Sequence, residues 1–173
     1  VRNANGTSHD GNAALYIYGG GSDGDYCVLK NVTIADNDGM YGISYHGVEN
    51  EIDLNIINSV IWNNQQQNAD AQIVFGHGPN NPSYTINVRN SLVEGGASAI
   101  SYSSEGQTNA IVQWDASNLT SYPYFNDPDN GDYSLSNYSP MIGAGAMSVT
   151  IDGVTYEAPD TDILGNARPS PSG

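Results

Sequence analysis

Residues 52–96 constrain the fold more than any other stretch, because they nearly repeat themselves. Ile56–Ile61 reads IINSVI and returns as Val88–Val93, VRNSLV; an earlier copy, Leu29–Ile34, reads LKNVTI. The Asn of each copy, at 31, 58 and 90, recurs after 27 and then 32 residues. A period of about 20–50 residues points to a solenoid, a propeller or an array.

The columns of the repeat give its geometry. Four positions before each Asn stand Cys27, Leu54 and Ile86, and two before stand Leu29, Ile56 and Val88. One after stand Val32, Ser59 and Ser91, and three after stand Ile34, Ile61 and Val93. Apolar or small residues alternate with others on both sides of the Asn, but the phase changes there. Period two means strand, and a phase change at one fixed residue means a corner between two strands. Asn suits such a corner because it tolerates the left-handed conformation. Its amide is also expected to bond to the Asn one coil above, as in an Asn ladder.

A second strand follows each copy: Gly42–His46 (GISYH), Ala71–Phe75 (AQIVF) and Ala99–Tyr102 (AISY). Aligned on the Ile, these put Tyr45, Phe75 and Tyr102 in one column, in phase with the inward Ile residues, which predicts a stack in the core. One coil is then strand, Asn corner, strand, loop, strand, loop. Loops vary in length and strands do not. This reads as an all-β chain, a right-handed parallel β-helix with strands about 4.8 Å apart between coils.

The chain of 173 residues suits one domain with a small appendage. Hydrophobic residues make up 38%, which is low for a globule but fits a solenoid with a narrow apolar channel. Four Lys and Arg stand against 19 Asp and Glu, a net charge of −15. Such a chain repels nucleic acid and anionic membrane surfaces, and no apolar run is long enough to span a bilayer. Cys27 is the one cysteine, so no internal disulfide forms, and its column predicts a buried thiol. Four Asn-x-Ser/Thr sequons stand at Asn5, Asn31, Asn118 and Asn137.

Taken in order, residues 1–116 form the coils. The first eleven residues look like the end of a preceding coil, and Ala14–Tyr18 is a strand of the second kind. Tyr26–Asn37 is the first complete strand–Asn–strand unit. Residues 117–168 change texture: Pro becomes frequent and strands become isolated. Phe125–Leu135 reads as a turn and a strand, and Val149–Tyr156 as a hairpin with Asp152-Gly153 at its tip. This segment is expected to cap the last coil, since an open strand edge invites aggregation. Residues 169–173 read as a loose tail. The chain opens in mid-pattern at VRNANG, so it is expected to be part of something longer that carries any targeting signal.

The ordered motifs resemble a known group. Asn31–Asn37 (NVTIADN), Asn58–Asn64 (NSVIWNN) and Asn90–Gly96 (NSLVEGG) are followed by Phe125–Pro128 (FNDP), Gly131–Leu135 (GDYSL), Ser139–Gly145 (SPMIGAG) and Asp162–Arg168 (DILGNAR). Nearly the whole chain is thereby similar to the C-terminal part of bacterial right-handed β-helix proteins of the pectate-lyase-like superfamily, in particular the secreted "choice-of-anchor" type. Two departures stand out. Gly143 occupies a position that is usually Asp, and the final strand of the family pattern does not follow Arg168. The resemblance implies an extracellular or cell-surface location. It implies fold more than function, because the superfamily hosts lyases, hydrolases, adhesins and structural fibres.

The sequence offers four kinds of candidate site. A polysaccharide lyase needs a base beside carboxylates that hold Ca²⁺. Lys30 and Arg89 share an outward column, two coils or about 10 Å apart, but Ile57 lies between them and the neighbouring column of Val28, Asn55 and Asn87 holds no acid. A glycosidase needs two carboxylates about 5–10 Å apart. The column of Asp36 continues as Asn63 and Gly95, and that of Glu94 has Ala35 and Trp62, so no column carries two acids; Glu49, Glu51 and Asp70 offer a loop alternative. Asp127, Asp129, Gly131 and Asp132 faintly resemble a calcium loop but lack its full ligand set, and an ordinary turn is favoured. His9, His46 and His77 sit near Gly in loops, with His46 and His77 on adjacent coils; two His make a weak metal signal.

The chain has 12 Tyr, more than the core needs. Tyr16, Tyr18, Tyr41, Tyr122 and Tyr124 are candidates for exposed rings that stack on sugars or pack on a partner protein. No catalytic, cofactor or metal residue is assigned, and Ca²⁺ is the one ion considered. The leading expectation is a non-enzymatic, extracellular β-helix module, rigid or adhesive, that contacts glycans or cell-surface proteins. The alternatives are part of a polysaccharide lyase or glycoside hydrolase, and a subunit of a homo-oligomeric fibre.

Overall fold

A computed structural model describes residues 13–19, 25–38, 41–47, 52–64, 71–77, 84–102 and 110–168. After β1 (Ala13–Gly19) come three rounds of three strands. The first is β2 (Asp25–Lys30), β3 (Thr33–Ala35) and β4 (Tyr41–Gly47). The second is β5 (Ile52–Ile57), β6 (Val60–Trp62) and β7 (Ile73–His77). The third is β8 (Tyr84–Arg89), β9 (Leu92–Val93) and β10 (Ile100–Tyr102), and β11 (Ala110–Trp114) opens a fourth.

Every pairing among these strands is parallel. They form three sheets, in the orders β2-β5-β8-β11, β3-β6-β9 and β1-β4-β7-β10. The chain visits the sheets in the same cyclic order each round. The described strands are all-β with no α-helix among them, and their arrangement is compatible with a β-helix-like fold.

The register follows the repeat. Leu54 pairs with Cys27 and Ile86, and Ile56 with Leu29 and Val88. Ile61 pairs with Ile34 and Val93. Phe75 pairs with Tyr45 and Tyr102. The inner core gathers these columns: Ile34, Leu54, Ile56, Ile61, Ile86, Val88 and Val93 with Tyr45 and Phe75, all buried. Cys27 packs against this core half-buried, and burial pushes its thiol pKa up.

Two corners turn each coil. Asn31, Asn58 and Asn90 are left-handed, at φ of 57°, 51° and 49°. Five residues on, Asp36, Asn63 and Gly95 are left-handed too, at 53°, 51° and 73°. Asp, Asn and Gly are the residues that tolerate this conformation, so this second column is also a backbone requirement.

The side-chain ladders lie away from the first corner. Asn37 Nδ2 donates to Asn64 Oδ1 at 2.7 Å, and Asn87 Nδ2 to Asn55 Oδ1 at 2.9 Å. A serine ladder runs one residue after the corner: Ser59 Oγ accepts from the Val32 amide at 3.1 Å, and Ser91 Oγ from the Ser59 amide at 3.0 Å. Asn118 Oδ1 continues it, accepting from the Ser91 amide at 3.0 Å. Leu119 bridges to Leu92 in parallel, so coil register persists past residue 116.

Residues 120–168 form a strap along the flank of the stack. Its two antiparallel pairs are β12 (Phe125–Asp127) with β13 (Asp132–Leu135), and β14 (Ser148–Ile151) with β15 (Val154–Glu157). The turn between the latter pair has Asp152 at φ 48° and Gly153 at φ 81°, the double positive φ of a type I′ hairpin. A second core joins strap to stack, with Phe125, Tyr133, Leu135 and Met141 packed on Ala35, Val60, Trp62, Leu92 and Leu119.

The corner Asn side chains serve the strap. Asn90 Nδ2 donates to Ala144 O at 3.2 Å, and Asn58 Nδ2 to Ala146 O at 2.8 Å. The Ala146 amide returns a bond to Asn58 Oδ1 at 2.9 Å. Further along, Asn55 Nδ2 donates to Tyr156 Oη at 3.3 Å, and Lys30 Nζ donates to Glu157 O. The strap thus passes from the third coil back to the first.

Candidate functional site: an acidic groove with aromatic walls

The second corner column, the strand ends before it and the start of the strap enclose an open groove of about 680 Å³. Its stack side presents Asp36, Trp62, Asn63 and Glu94, and its strap side Tyr122, Asp129 and Tyr133. The left-handed corner explains why these side chains come together, since it ends sheet β3-β6-β9 at one level in every coil.

Hydrogen bonds tie the acids across coils. Asp36 Oδ1 accepts from Asn63 Nδ2 at 2.6 Å, and Asp36 Oδ2 accepts from the Tyr133 hydroxyl at 2.8 Å. Glu94 Oε2 accepts from the Asn63 amide at 2.8 Å and from Gln72 Nε2 at 3.0 Å. Gln72 in turn accepts from Asn64 Nδ2 at 2.9 Å, which carries the network into the buried Asn37–Asn64 ladder. Asp36 and Glu94 are therefore oriented by a fixed scaffold. Asp38 and Asp129 also line the groove and stand exposed at its rim.

The aromatic wall is built edge to face. Trp62 meets Tyr122 with ring centroids 5.6 Å apart at 88°, and Tyr122 meets Tyr124 at 5.0 Å and 90°. Phe125 meets Tyr133 at 5.1 Å and 77°. Phe125 is buried, whereas Tyr122 is 50% exposed. Aromatic contacts of this kind hold a ring in place while leaving one face for a ligand.

Asp36 and Glu94 belong to adjacent columns on the first and third coils, so the groove joins acids that no single column holds. Glu49, Glu51, Asp70 and His9 lie outside the described residues. The register pairs His77 with Gly47, one position off His46. Tyr16 is exposed, Tyr41 is half-buried, and the Tyr18 side chain lies outside the described residues. Tyr45 and Phe75 are core residues.

Lys30 and Arg89 are both engaged away from the groove. Lys30 holds Glu157 O; Arg89 donates to Gln113 O at 3.2 Å and lies 3.7 Å from Asp115 Oδ2. The intervening Ile57 is buried. The backbone and side chain of Ser117 bond to Asp115 and, with Arg89 adding a smaller pull, hold its carboxyl below the usual range.

In the turn at residues 127–132, Asn130 Nδ2 donates to Asp127 Oδ2 at 2.8 Å. The Ser134 amide donates to Asp132 Oδ1 at 3.0 Å. The Ser134 hydroxyl and amide hold the Asp132 pKa down. These oxygens are occupied in closing their own turn. Among the described residues, no group of three or more His, Cys, Asp or Glu side chains is arranged to hold a metal ion. Also among them, no helix is long and apolar enough to cross a membrane.

Compared with known proteins, the chain matches no family model, no curated protein and no solved structure.

Proposed function

We propose that this chain is a right-handed parallel β-helix domain of a secreted, cell-surface bacterial protein. It acts as a rigid, non-enzymatic module that binds glycan in the groove between its second corner column and its strap. The observation that carries this reading is the pairing of the Trp62–Tyr122 wall with the carboxylates of Asp36 and Glu94 in one open cleft. Pyranose rings offer an apolar face to an aromatic ring and hydroxyl donors to carboxylates, and this groove has both partners.

Trp62 is the residue to test. Trp62→Ala removes the ring that joins the wall to the stack, and is expected to weaken binding to any glycan ligand at least tenfold. A glycan array followed by calorimetry measures this, with circular dichroism confirming that the variant folds. Retained affinity in a folded Trp62→Ala variant, or no glycan bound by the unaltered chain, rejects the reading.

One observation favours a second reading, a glycoside hydrolase. Asp36 and Glu94 are held on either side of Asn63 and face the same groove. Two oriented carboxylates are the minimum apparatus for glycosidic cleavage. Release of reducing ends from a panel of oligosaccharides, abolished by Asp36→Asn and by Glu94→Gln, would establish this reading over the first. Absorbance of an unsaturated uronate product, with and without calcium, tests the lyase alternative in the same samples.

A further inference from the structure

We infer that the groove selects sugars bearing free ammonium groups, so that its ligand class is the 2-amino-2-deoxyhexose oligomers and not neutral or uronic-acid glycans. This rests on the glycan-binding reading above and adds the charge of the ligand to it.

Asp36, Asp38, Glu94 and Asp129 line the groove, and among the described residues no Lys, Arg or His lines it. Two of the described cations are committed elsewhere, Lys30 to Glu157 O and Arg89 beside Asp115. A uronate entering this groove would meet carboxylates on both walls with no cation among the described lining residues to offset them. The whole chain, at −15, adds to that repulsion.

The aromatic wall sharpens the choice. The indole face of Trp62 and the phenol ring of Tyr122 attract cations through their ring quadrupoles, and Trp does so best. The rings attract neutral sugars as well, and carboxylates accept their hydroxyls, but an ammonium group gains a charge-assisted hydrogen bond that a hydroxyl does not. Asp38 and Asp129 stand exposed at the rim, where they can reach an amine without being buried by it. An amino sugar therefore satisfies both walls at once: its ring lies on an aromatic face and its ammonium group lies among carboxylates.

A protein of this charge attracts any polycation, so the test must separate a site from a field. Short oligomers of glucosamine and of N-acetylglucosamine, matched in length, are titrated calorimetrically at low and moderate salt, beside oligogalacturonate and a linear polyamine of equal charge. The glucosamine oligomer is expected to bind at least tenfold tighter than its acetylated form, and oligogalacturonate not at all. Asp38→Asn with Asp129→Asn is expected to reduce that ratio several-fold. Trp62→Ala is expected to weaken both chito-oligomers more than the polyamine, which has no ring to stack.

Equal affinity for the two chito-oligomers overturns the charge inference and leaves glycan binding standing. Binding of the glucosamine oligomer that survives Trp62→Ala and matches the polyamine overturns it as well, since attraction by net charge then suffices. Binding of no glycan at all removes the inference together with the reading beneath it.

Discussion

The stack and the strap use the same chain chemistry in opposite ways. In the stack, each residue meets its counterpart one coil away: Ile56 lies between Leu29 and Val88, and Leu54 between Cys27 and Ile86. A side chain chosen once is chosen for every coil, and the core is a set of columns. Beyond its second core, which ends at Met141, the strap meets the stack through single contacts. Asn58 holds Ala146, Asn90 holds Ala144, and Asn55 meets Tyr156. On either side of these points it leaves large apolar groups in solvent, with Tyr138 86% and Ile163 99% exposed. Repetition makes the stack stable by area, whereas the strap beyond Met141 is held by particular atoms.

The largest expected effect breaks the stack. Phe75 is fully buried in the column between Tyr45 and Tyr102. Phe75→Ala removes most of that side chain from a site flanked by coils on both sides, where relaxation in one coil is resisted by the next. It is expected to cost about 3–5 kcal/mol in urea unfolding. Tyr138→Ala, in the strap, is expected to cost less than about 0.5 kcal/mol. Similar losses from the two would mean that the strap is packed as tightly as the columns.

How much of this was legible follows from the same contrast. The inward columns, the left-handed Asn corners and the Asp152-Gly153 hairpin could be read because each has a local cause: period two, a backbone that excludes most residues, and a turn that demands positive φ. The expected ladder of Asn31, Asn58 and Asn90 is absent from the bonds of Asn58 and Asn90, whose side chains reach the strap. The amide ladders stand instead at Asn37–Asn64 and Asn55–Asn87. Sequence spacing marks the corner but not which way its amide turns, because that depends on a segment 88 residues from Asn58 and 54 from Asn90.

The groove was hidden for a related reason. Reading one column at a time could not join Asp36 to Glu94, which differ by one column and two coils. Their link is Asn63, which bonds to Asp36 through its side chain and to Glu94 through its backbone. The opposite wall comes from Tyr122, Asp129 and Tyr133, in a segment without a repeat to align. One signal was present in the sequence: Asp36, Asn63 and Gly95 are all residues that tolerate positive φ. That triplet is the mark of a second corner, and a corner column is where side chains of one sheet edge converge.

A middle-sized effect tests the single-atom attachment. Asn58 supplies both a donor and an acceptor to Ala146, from a left-handed backbone. Asn58→Ala loses two hydrogen bonds worth about 1 kcal/mol each and adds a backbone penalty of about 1–2 kcal/mol. Asn58→Gly loses the bonds and keeps the backbone at ease. The expected losses are about 3 kcal/mol for Ala and about 2 kcal/mol for Gly. In the Gly variant, limited proteolysis should open the strap near residues 139–147 while coil amides stay protected from exchange. Equal losses in the two variants would show that the corner conformation carries no cost of its own.

The smallest effect separates the two regions by pH. Asp132 and Asp162, both in the strap, have carboxyl pKa values below the ordinary aspartate range, chiefly through Ser134 and Asn166 respectively. The Asn166 and Leu164 amides donate to Asp162 Oδ1 at 2.8 and 2.9 Å. A carboxyl whose folded pKa is depressed binds fewer protons in the folded state. Its contribution to stability is present above the ordinary value of about 4 and is lost as pH falls through the lower folded value. Both groups are fully exposed, so the loss is local and small. Protection of the Asn166 and Leu164 amides should decline below about pH 4, while the amides of β4 and β7 keep theirs. Asp162→Asn should remove the pH dependence at those two amides, because the side-chain acceptor then stays and the titration goes. A decline shared equally by turn and stack would join the two regions into one cooperative unit, with the strap an integral part of the stack's stability.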